Sequence, residues 1–238
     1  MLWWCIAAIG AFFVKGLCGF ANTLVFTTML SFQNSNLQIS PVELILGYPS
    51  NIILAWKERR AIKWSICLPL SCLVMLGSVP GILFLKNVDA GGLKVFFGVL
   101  IVFLAIEMFL REIRSQKVKQ SKVILGIIGV VSGILCGLYG VGALLGAYVN
   151  RVTDNSRAFK ANICIVFLVE NTFRIIMYAL WGIITVDICR QALLLFPCML
   201  LGLGLGMLSS KVLNEGIVKR VVILMLFVSG IALIINNL

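Results

Sequence analysis

The feature that most constrains this chain is a succession of eight apolar runs, at roughly 2–31, 42–56, 64–85, 95–110, 123–149, 161–181, 188–209 and 221–235. A helix needs about 20 apolar residues to cross the hydrocarbon core of a bilayer, within a range of about 17–25. Most of the runs fit one crossing once their flanks are counted. Composition points the same way. The chain is 61% hydrophobic and 12% charged, whereas soluble domains carry about 45–50% apolar and about 25% charged residues. A soluble fold would lack the polar surface to cover this much apolar side chain. The expected class is an all-α, multi-pass integral membrane protein, whose partner is the lipid bilayer.

Several function classes drop out. The net charge of +11 suggests nucleic acid, but the basic residues sit in short loops between apolar runs, as the positive-inside rule expects. No basic face large enough to track a phosphate backbone appears. The eight cysteines have no zinc-ligand or redox CxxC spacing. Most lie inside apolar runs, such as Cys67, Cys72, Cys164 and Cys198, and read as small apolar side chains. There is no histidine, the commonest general base and transition-metal ligand. No metal, cofactor or enzymatic activity is expected. The start, Met-Leu-Trp-Trp-Cys, lacks the basic region of a signal peptide, so Leu2 onward is expected in the mature protein.

The first and fifth runs are too long for one comfortable crossing, and glycines break each near its middle: Gly16-Leu17-Cys18-Gly19 and Gly137-Leu138-Tyr139-Gly140. These breaks align at an offset of 121, and Asn51 aligns with Asn171 at 120. Further on the offset is 125, matching Gly77 with Gly202, Gly81 with Gly206, Lys86 with Lys211, Gly91 with Gly216 and Lys94 with Lys219. A small insertion near Trp181-Gly182-Ile183-Ile184-Thr185 accounts for the change. The ordered series divides the chain into repeats at 1–114 and 121–238, joined by a charged linker at 115–120.

Loop charge bears on how the repeats are oriented. Most of the 20 basic residues fall in clusters at 57–63, 111–122, 151–160 and 211–220. Eight simple crossings in two parallel repeats would put the third and fourth clusters opposite the first two, against the positive-inside rule. Suppose instead that runs one and five are re-entrant hairpins turning at their glycines. All four clusters then lie in the cytoplasm, both termini lie outside, and each repeat is a hairpin plus three transmembrane helices. An odd number of crossings makes the repeats inverted. Limbs at 2–14 and 20–32 would be about 20 Å long, too short to span. Two parallel repeats with long tilted helices remain the alternative.

The paired motifs are K-G-L-C-G-F-A-N-T-L-V at 15–25 and G-I-L-C-G-L-Y-G-V-G-A-L-L-G at 133–146. With this architecture the chain resembles the sulfite exporter TauE/SafE family of membrane transporters along essentially its whole length. The family pattern is richer in glycine after the first turn, where this chain has Ala21-Asn22. The resemblance implies movement of sulfite, an organosulfonate or a related small sulfur-containing anion across a cell membrane, bacterial inner or plasma membrane.

Physical chemistry suggests where such an anion would sit. Secondary transporters commonly bind substrate near the midplane, between repeats, at broken helices. A half-helix N-terminus offers unpaired N–H groups and a partial positive charge. Half-helices starting near Gly19 and Gly140 would aim the N–H groups of Phe20, Ala21 and Asn22, and of Val141, Gly142 and Ala143, at the centre. Candidate substrate-binding residues are therefore Lys15, Gly16, Gly19, Phe20, Ala21, Asn22, Asn51, Gly137, Gly140, Val141, Gly142, Asn171 and Arg174.

Each candidate has a plainer role available. The turn glycines, with Gly129 and Gly133, suit tight helix packing, the favoured role for Gly77, Gly81, Gly202 and Gly206. Asn51 and Asn171 should face the interior, bonding between helices or contacting substrate. Pro49 is placed to kink the helix carrying Asn51. Lys15 either counters a bound anion or snorkels to water. Glu170 and Arg174 can pair at i,i+4, with Glu170 the proton-coupling candidate and Arg174 within snorkelling reach of the outer interface. Glu107 can pair with Arg111, while Glu58, Asp89, Asp154 and Asp187 read as solvated.

A nucleotide-binding P-loop is absent from the sequence, so direct use of ATP is not expected. The leading expectation is a secondary transporter of a small anion, with protons as possible partners. The alternatives are an anion channel-like pore and a membrane enzyme or sulfur carrier using Cys18 or Cys136.

Overall fold

A computed structural model describes residues 1–30, 34–87, 122–140, 142–153 and 155–212, with single helical positions between 95 and 110 and between 217 and 235. Among the described residues, eight α-helices form and no strand. They are α1 (Leu2–Cys18), α2 (Asn22–Leu30), α3 (Asn36–Lys57), α4 (Trp64–Asn87), α5 (Lys122–Tyr139), α6 (Ala143–Val152), α7 (Ser156–Leu180) and α8 (Val186–Val212), with a 3-10 turn at Arg59–Ala61. Three stretches are long and apolar enough to cross a membrane: Trp64–Leu83, Ser156–Leu180 and Val186–Ser210. The Glu107–Arg111 pair, Asp89, Asp154 and most of the clusters at 111–122 and 211–220 lie outside the described residues, as does Val141.

The distribution of polarity is that of a protein dissolved in lipid. Leu68, Leu76 and Leu83 on α4, and Leu193, Leu201, Leu205 and Leu208 on α8, point outward and are exposed. The interior holds Lys15, Glu43, Asn51, Asn162, Glu170, Asn171 and Arg174, all buried. Polar groups turned inward beneath an apolar perimeter fit a bilayer, where hydrocarbon offers an amide or a charge no partner. The chain is a multi-pass membrane protein.

The first glycine-broken run reverses direction, and the second is broken at Gly140, φ 69°, between α5 and α6. Gly19 caps α1 in the left-handed region at φ 89°, its N–H bonded to the Lys15 carbonyl. After α2 the chain has returned to its starting end: Trp3 Nε1 donates to the Met29 carbonyl at 2.7 Å, and the rings of Trp4 and Phe26 meet edge-on at 5.7 Å. The limbs differ from the expected 2–14 and 20–32. Gly16 does not break α1, because it packs into α8, and the reversal waits for Gly19. With 9 and 10 residues, α2 and α6 are about 14–15 Å long, far short of a core about 30 Å thick.

The most extensive helix pairs are α4 with α5 and α1 with α8, and their contacts correspond. A Cβ on Gly202 would run into the Ile9 carbonyl, and one on Gly206 into Phe13 and Gly16. A Cβ on Gly77 would run into the Val130 carbonyl, and one on Gly81 into Ile134 and Gly137. Shifted by the sequence offsets, the second set is the first with the halves exchanged. Gly77, Gly81, Gly202 and Gly206 are thus close-packing residues, as their spacing suggests.

Asn162 on α7 fastens one end of the bundle. Its Oδ1 accepts from the Lys63 backbone N–H at 2.8 Å, and its Nδ2 donates to the Ala61 carbonyl at 3.3 Å. Asn155 caps α7 by accepting from the Ala158 N–H. The basic segments 57–63 and 155–160 therefore share one end of the molecule.

Candidate functional site

A small, partly open cavity of mixed polar and apolar lining lies between the two glycine breaks. It is lined by Lys15 of α1, Phe20 to Leu24 at the start of α2, Glu43 and Asn51 of α3, Gly140 and Gly142 of the second break, and Phe167 and Asn171 of α7. Eight of the candidate residues line it: Lys15, Phe20, Ala21, Asn22, Asn51, Gly140, Gly142 and Asn171.

Two helix N-termini open onto this cavity. The first helical bonds run from Val25 N–H to the Ala21 carbonyl at 3.2 Å and from Gly146 N–H to the Gly142 carbonyl at 2.8 Å. The N–H groups of Asn22, Thr23 and Leu24, and of Ala143, Leu144 and Leu145, therefore have no intrahelical acceptor. Both helices, starting at Asn22 and Ala143, begin three residues after the glycines near which their starts are expected. Gly140 holds φ 69° and Ala21 holds φ 70°, a left-handed conformation that costs a residue with a Cβ about 1–2 kcal/mol. The chain accepts that strain at Ala21 to swing α2 onto the cavity.

The amides converge there. Asn22 Nδ2 donates to Glu43 Oε1. Gly47 supplies the space: a Cβ there would lie 3.1 Å from Glu43 Oε1, 3.6 Å from Asn22 Nδ2 and 3.8 Å from Asn171 Nδ2. Asn51 is 1% exposed, and among the described residues neither Oδ1 nor Nδ2 has a hydrogen-bond partner. A buried unpartnered amide costs about 1–3 kcal/mol, and this one lines the cavity. Pro49 leaves α3 continuous from Asn36 to Lys57.

Behind this wall stands a cluster of charges. Arg174 donates through Nη1 to the Cys136 carbonyl at 2.9 Å and through Nη2 to Ser40 Oγ at 3.3 Å. It lies 3.7 Å from Glu170 Oε1 and 3.9 Å from Glu43 Oε2, with its guanidinium 5.4 Å from the Tyr178 ring centre. At 1% exposure it does not snorkel to an interface, because those partners hold it inward. Lys15 is equally buried, with Nζ 3.5 Å from the Gly47 carbonyl, which rules out a shallow lysine reaching water.

The remaining candidates stand elsewhere. Gly16 packs on α8, and Gly137 packs on α4 against Ser78 and Gly81. Gly19 backs onto Lys160, whose Nζ is 3.5 Å from the Gly16 carbonyl. Glu170 pairs with Arg174, as the i,i+4 spacing suggests, but does not line the cavity. Cys18 and Cys136 are buried, and neither lines it. Among the described residues no group of acids and cysteines is arranged to hold a metal ion.

A pair of glycine breaks flanking a cavity is the arrangement that the two motifs suggest. The chain matches the family model described as sulfite exporter TauE/SafE across residues 4–233. It belongs to the TauE/SafE family. Comparison with curated proteins and with solved structures gives no match. The family is one of membrane transporters. In this TauE/SafE chain sequence reasoning passed over Glu43, the one carboxylate among the described residues that line the cavity. Its signal was available: an acid at the edge of an apolar run, eight residues before Asn51, reads as a loop flank until α3 is seen to begin at Asn36. Thr23, Ser40, Phe167 and Tyr178 gave no comparable signal.

Proposed function

We propose that this protein is a secondary transporter that moves a small sulfur-containing anion, sulfite or an organosulfonate, through the cavity between its two hairpins. The observation that carries this is the meeting of two helix N-termini with the unfilled Asn51 amide. Each terminus presents about half a positive charge and several N–H donors. An oxyanion has acceptors for all of them, while Asn22, Asn51 and Asn171 supply directional donors and Lys15 a nearby cation. Gly140 and Gly142 let backbone approach where a side chain would fill the space.

The two repeats, 1–114 and 121–238, are proposed to be inverted, with re-entrant hairpins at α1–α2 and α5–α6. Two features support this. The corresponding glycine contacts recur with the halves exchanged, and Asn162 ties the basic segment 57–63 to the start of α7. Eight simple crossings would put those basic segments on opposite sides. Inversion gives alternating access a simple geometry, because rocking one half against the other exposes the same site to either side. The membrane is proposed to be a bacterial inner or plasma membrane, with protons as the candidate coupling ion.

Anion binding tests this directly. Purified protein in detergent is titrated with sulfite, taurine, methanesulfonate, sulfate and chloride, and its thermal unfolding is followed. A ligand held at 100 times its Kd stabilises by about 2.7 kcal/mol. Stabilisation by sulfite or a sulfonate well above that by chloride at equal ionic strength is the expected result. Equal response to all five salts contradicts an anion site of this class.

A further inference from the structure

We propose that Glu43 is a tethered competitor for the transported anion, holding the site's donors when the site is empty and taking up one proton when the anion binds. The inference rests on the anion-transport reading and names the group that couples it to protons. Glu43 is 3% exposed and lines the cavity with Lys15, Asn22, Asn51 and Asn171. Its Oε1 accepts from Asn22, at the first residue of α2, where an anion drawn to that helix end would sit. Thr23 lines the cavity beside it, and Oε2 is 3.9 Å from Arg174 Nη2. The side chain thus occupies, from within the protein, donors that an incoming oxyanion needs.

Charge balance says what must follow. The groups that face Glu43 are Lys15 on α1, Asn22 and Thr23 on α2, Cys136 on α5, and Glu170, Arg174 and Tyr178 on α7. Two cations and two carboxylates leave this buried cluster neutral. An added anion would leave it with one net negative charge, met only by the partial charges of the two helix ends, in a place where water cannot compensate. Protonation of a carboxylate restores the balance. Glu170 is held against Arg174 and does not line the cavity, whereas Glu43 shares donors with the ligand. A proton from water joins the Glu43 carboxylate, Asn22 and Arg174 turn to the anion, and one proton and one anion travel together. The asymmetry between halves fits: at the repeat offset of 120, Glu43 corresponds to Ile163.

The test counts protons. Methanesulfonate keeps its single charge between about pH 5.5 and pH 8.5, so any pH dependence of its binding belongs to the protein. Wild type is titrated with it in weak buffer, and proton uptake is read together with Kd. The expected result is about one proton taken up per anion, with affinity falling about tenfold per pH unit of rise where uptake is complete. In Glu43→Gln the uptake disappears and Kd becomes independent of pH, while Glu170→Asp, which keeps the cluster's charge, still takes up the proton. Binding by wild type without proton uptake overturns the inference, as does uptake that survives in Glu43→Gln. If Glu43→Gln is not monodisperse, Asn22→Ala replaces it. Removing the amide donor must shift the pH profile of uptake, and an unchanged profile overturns the inference. Absence of sulfonate, sulfate and sulfite binding by wild type at every pH instead removes the anion reading on which the inference stands.

Discussion

Gly140 lies directly against the guanidinium of Arg174: a Cβ on this glycine would stand 2.9 Å from Nη1 and 3.0 Å from Nη2. The relationship joins the second glycine break to the charge cluster behind the cavity. It also separates two reasons for a glycine, since Gly140 has φ 69° and a crowded neighbourhood. Gly182 has nearly the same backbone, φ 67°, with nothing within 4 Å of a Cβ.

Substituting both separates strain from collision. Gly182→Ala carries the backbone cost alone, about 1 kcal/mol, and keeps transport. Gly140→Val adds the collision with Arg174 and Thr23, and its flux falls by about tenfold or more while membrane insertion is unchanged. Flux per inserted molecule, compared between the two, is the measurement. Equal losses would reduce Gly140 to a residue chosen for its φ.

Asn51 offers a split between stability and function. Its buried amide has no partner among the described residues, so replacing it with an apolar side chain of similar size removes a desolvation cost of about 1–3 kcal/mol. Asn51→Leu is expected to unfold at the same or a higher temperature than wild type and to lose anion transport. A variant that is destabilised and still transports would make Asn51 a structural bond between helices.

Arg174 should behave oppositely. Its removal leaves Glu43 and Glu170 buried without their shared cation, and breaking a buried pair costs about 3–5 kcal/mol. Arg174→Gln is expected to unfold well below wild type, and Arg174→Gln with Glu170→Gln should recover part of the loss. Thermal unfolding of the two variants and of Glu170→Gln alone completes the cycle. Simple additivity would mean that the ion pair at 3.7 Å contributes nothing.

Much of this was legible before the fold was known, because the bilayer imposes simple rules. Run lengths disclosed the helices, since lipid requires apolar length. The glycine breaks disclosed where the first and fifth runs stop being one helix, since φ values near +70° to +90° at Gly19 and Gly140 favour a residue without a Cβ. Asn51 and Asn171 were expected inside, since amides in hydrocarbon need company. What stayed hidden was pairing across the sequence. Whether Gly16 bends α1 or packs on α8 depends on Gly206, and whether Arg174 snorkels or stays depends on Ser40, Glu43 and the Cys136 carbonyl. Those partners lie 38 or more residues away, beyond any local pattern. Glu43 was missed for the same reason: its meaning comes from Asn22 and Arg174.

Topology is open to labelling. In a background with Cys72 and Cys189, the two exposed native cysteines, replaced, single cysteines at Arg60, Lys117, Asp154 and Asn214 should all react only from the cytoplasmic side. Reaction of the cysteines at 154 and 214 from the outside, with 60 and 117 inside, would establish eight simple crossings and end the inverted, re-entrant account.

The central claim is that the cavity between the hairpins carries a small sulfur-containing anion across the bilayer. The measurement that addresses it most directly is flux of labelled sulfite in proteoliposomes, with and without a pH gradient, for wild type and Asn51→Leu. The account predicts saturable wild-type flux that follows the pH gradient and is inhibited by a sulfonate, and background flux in Asn51→Leu at equal reconstitution. Wild-type flux no greater than that of empty liposomes, or flux in Asn51→Leu equal to wild type, would contradict it.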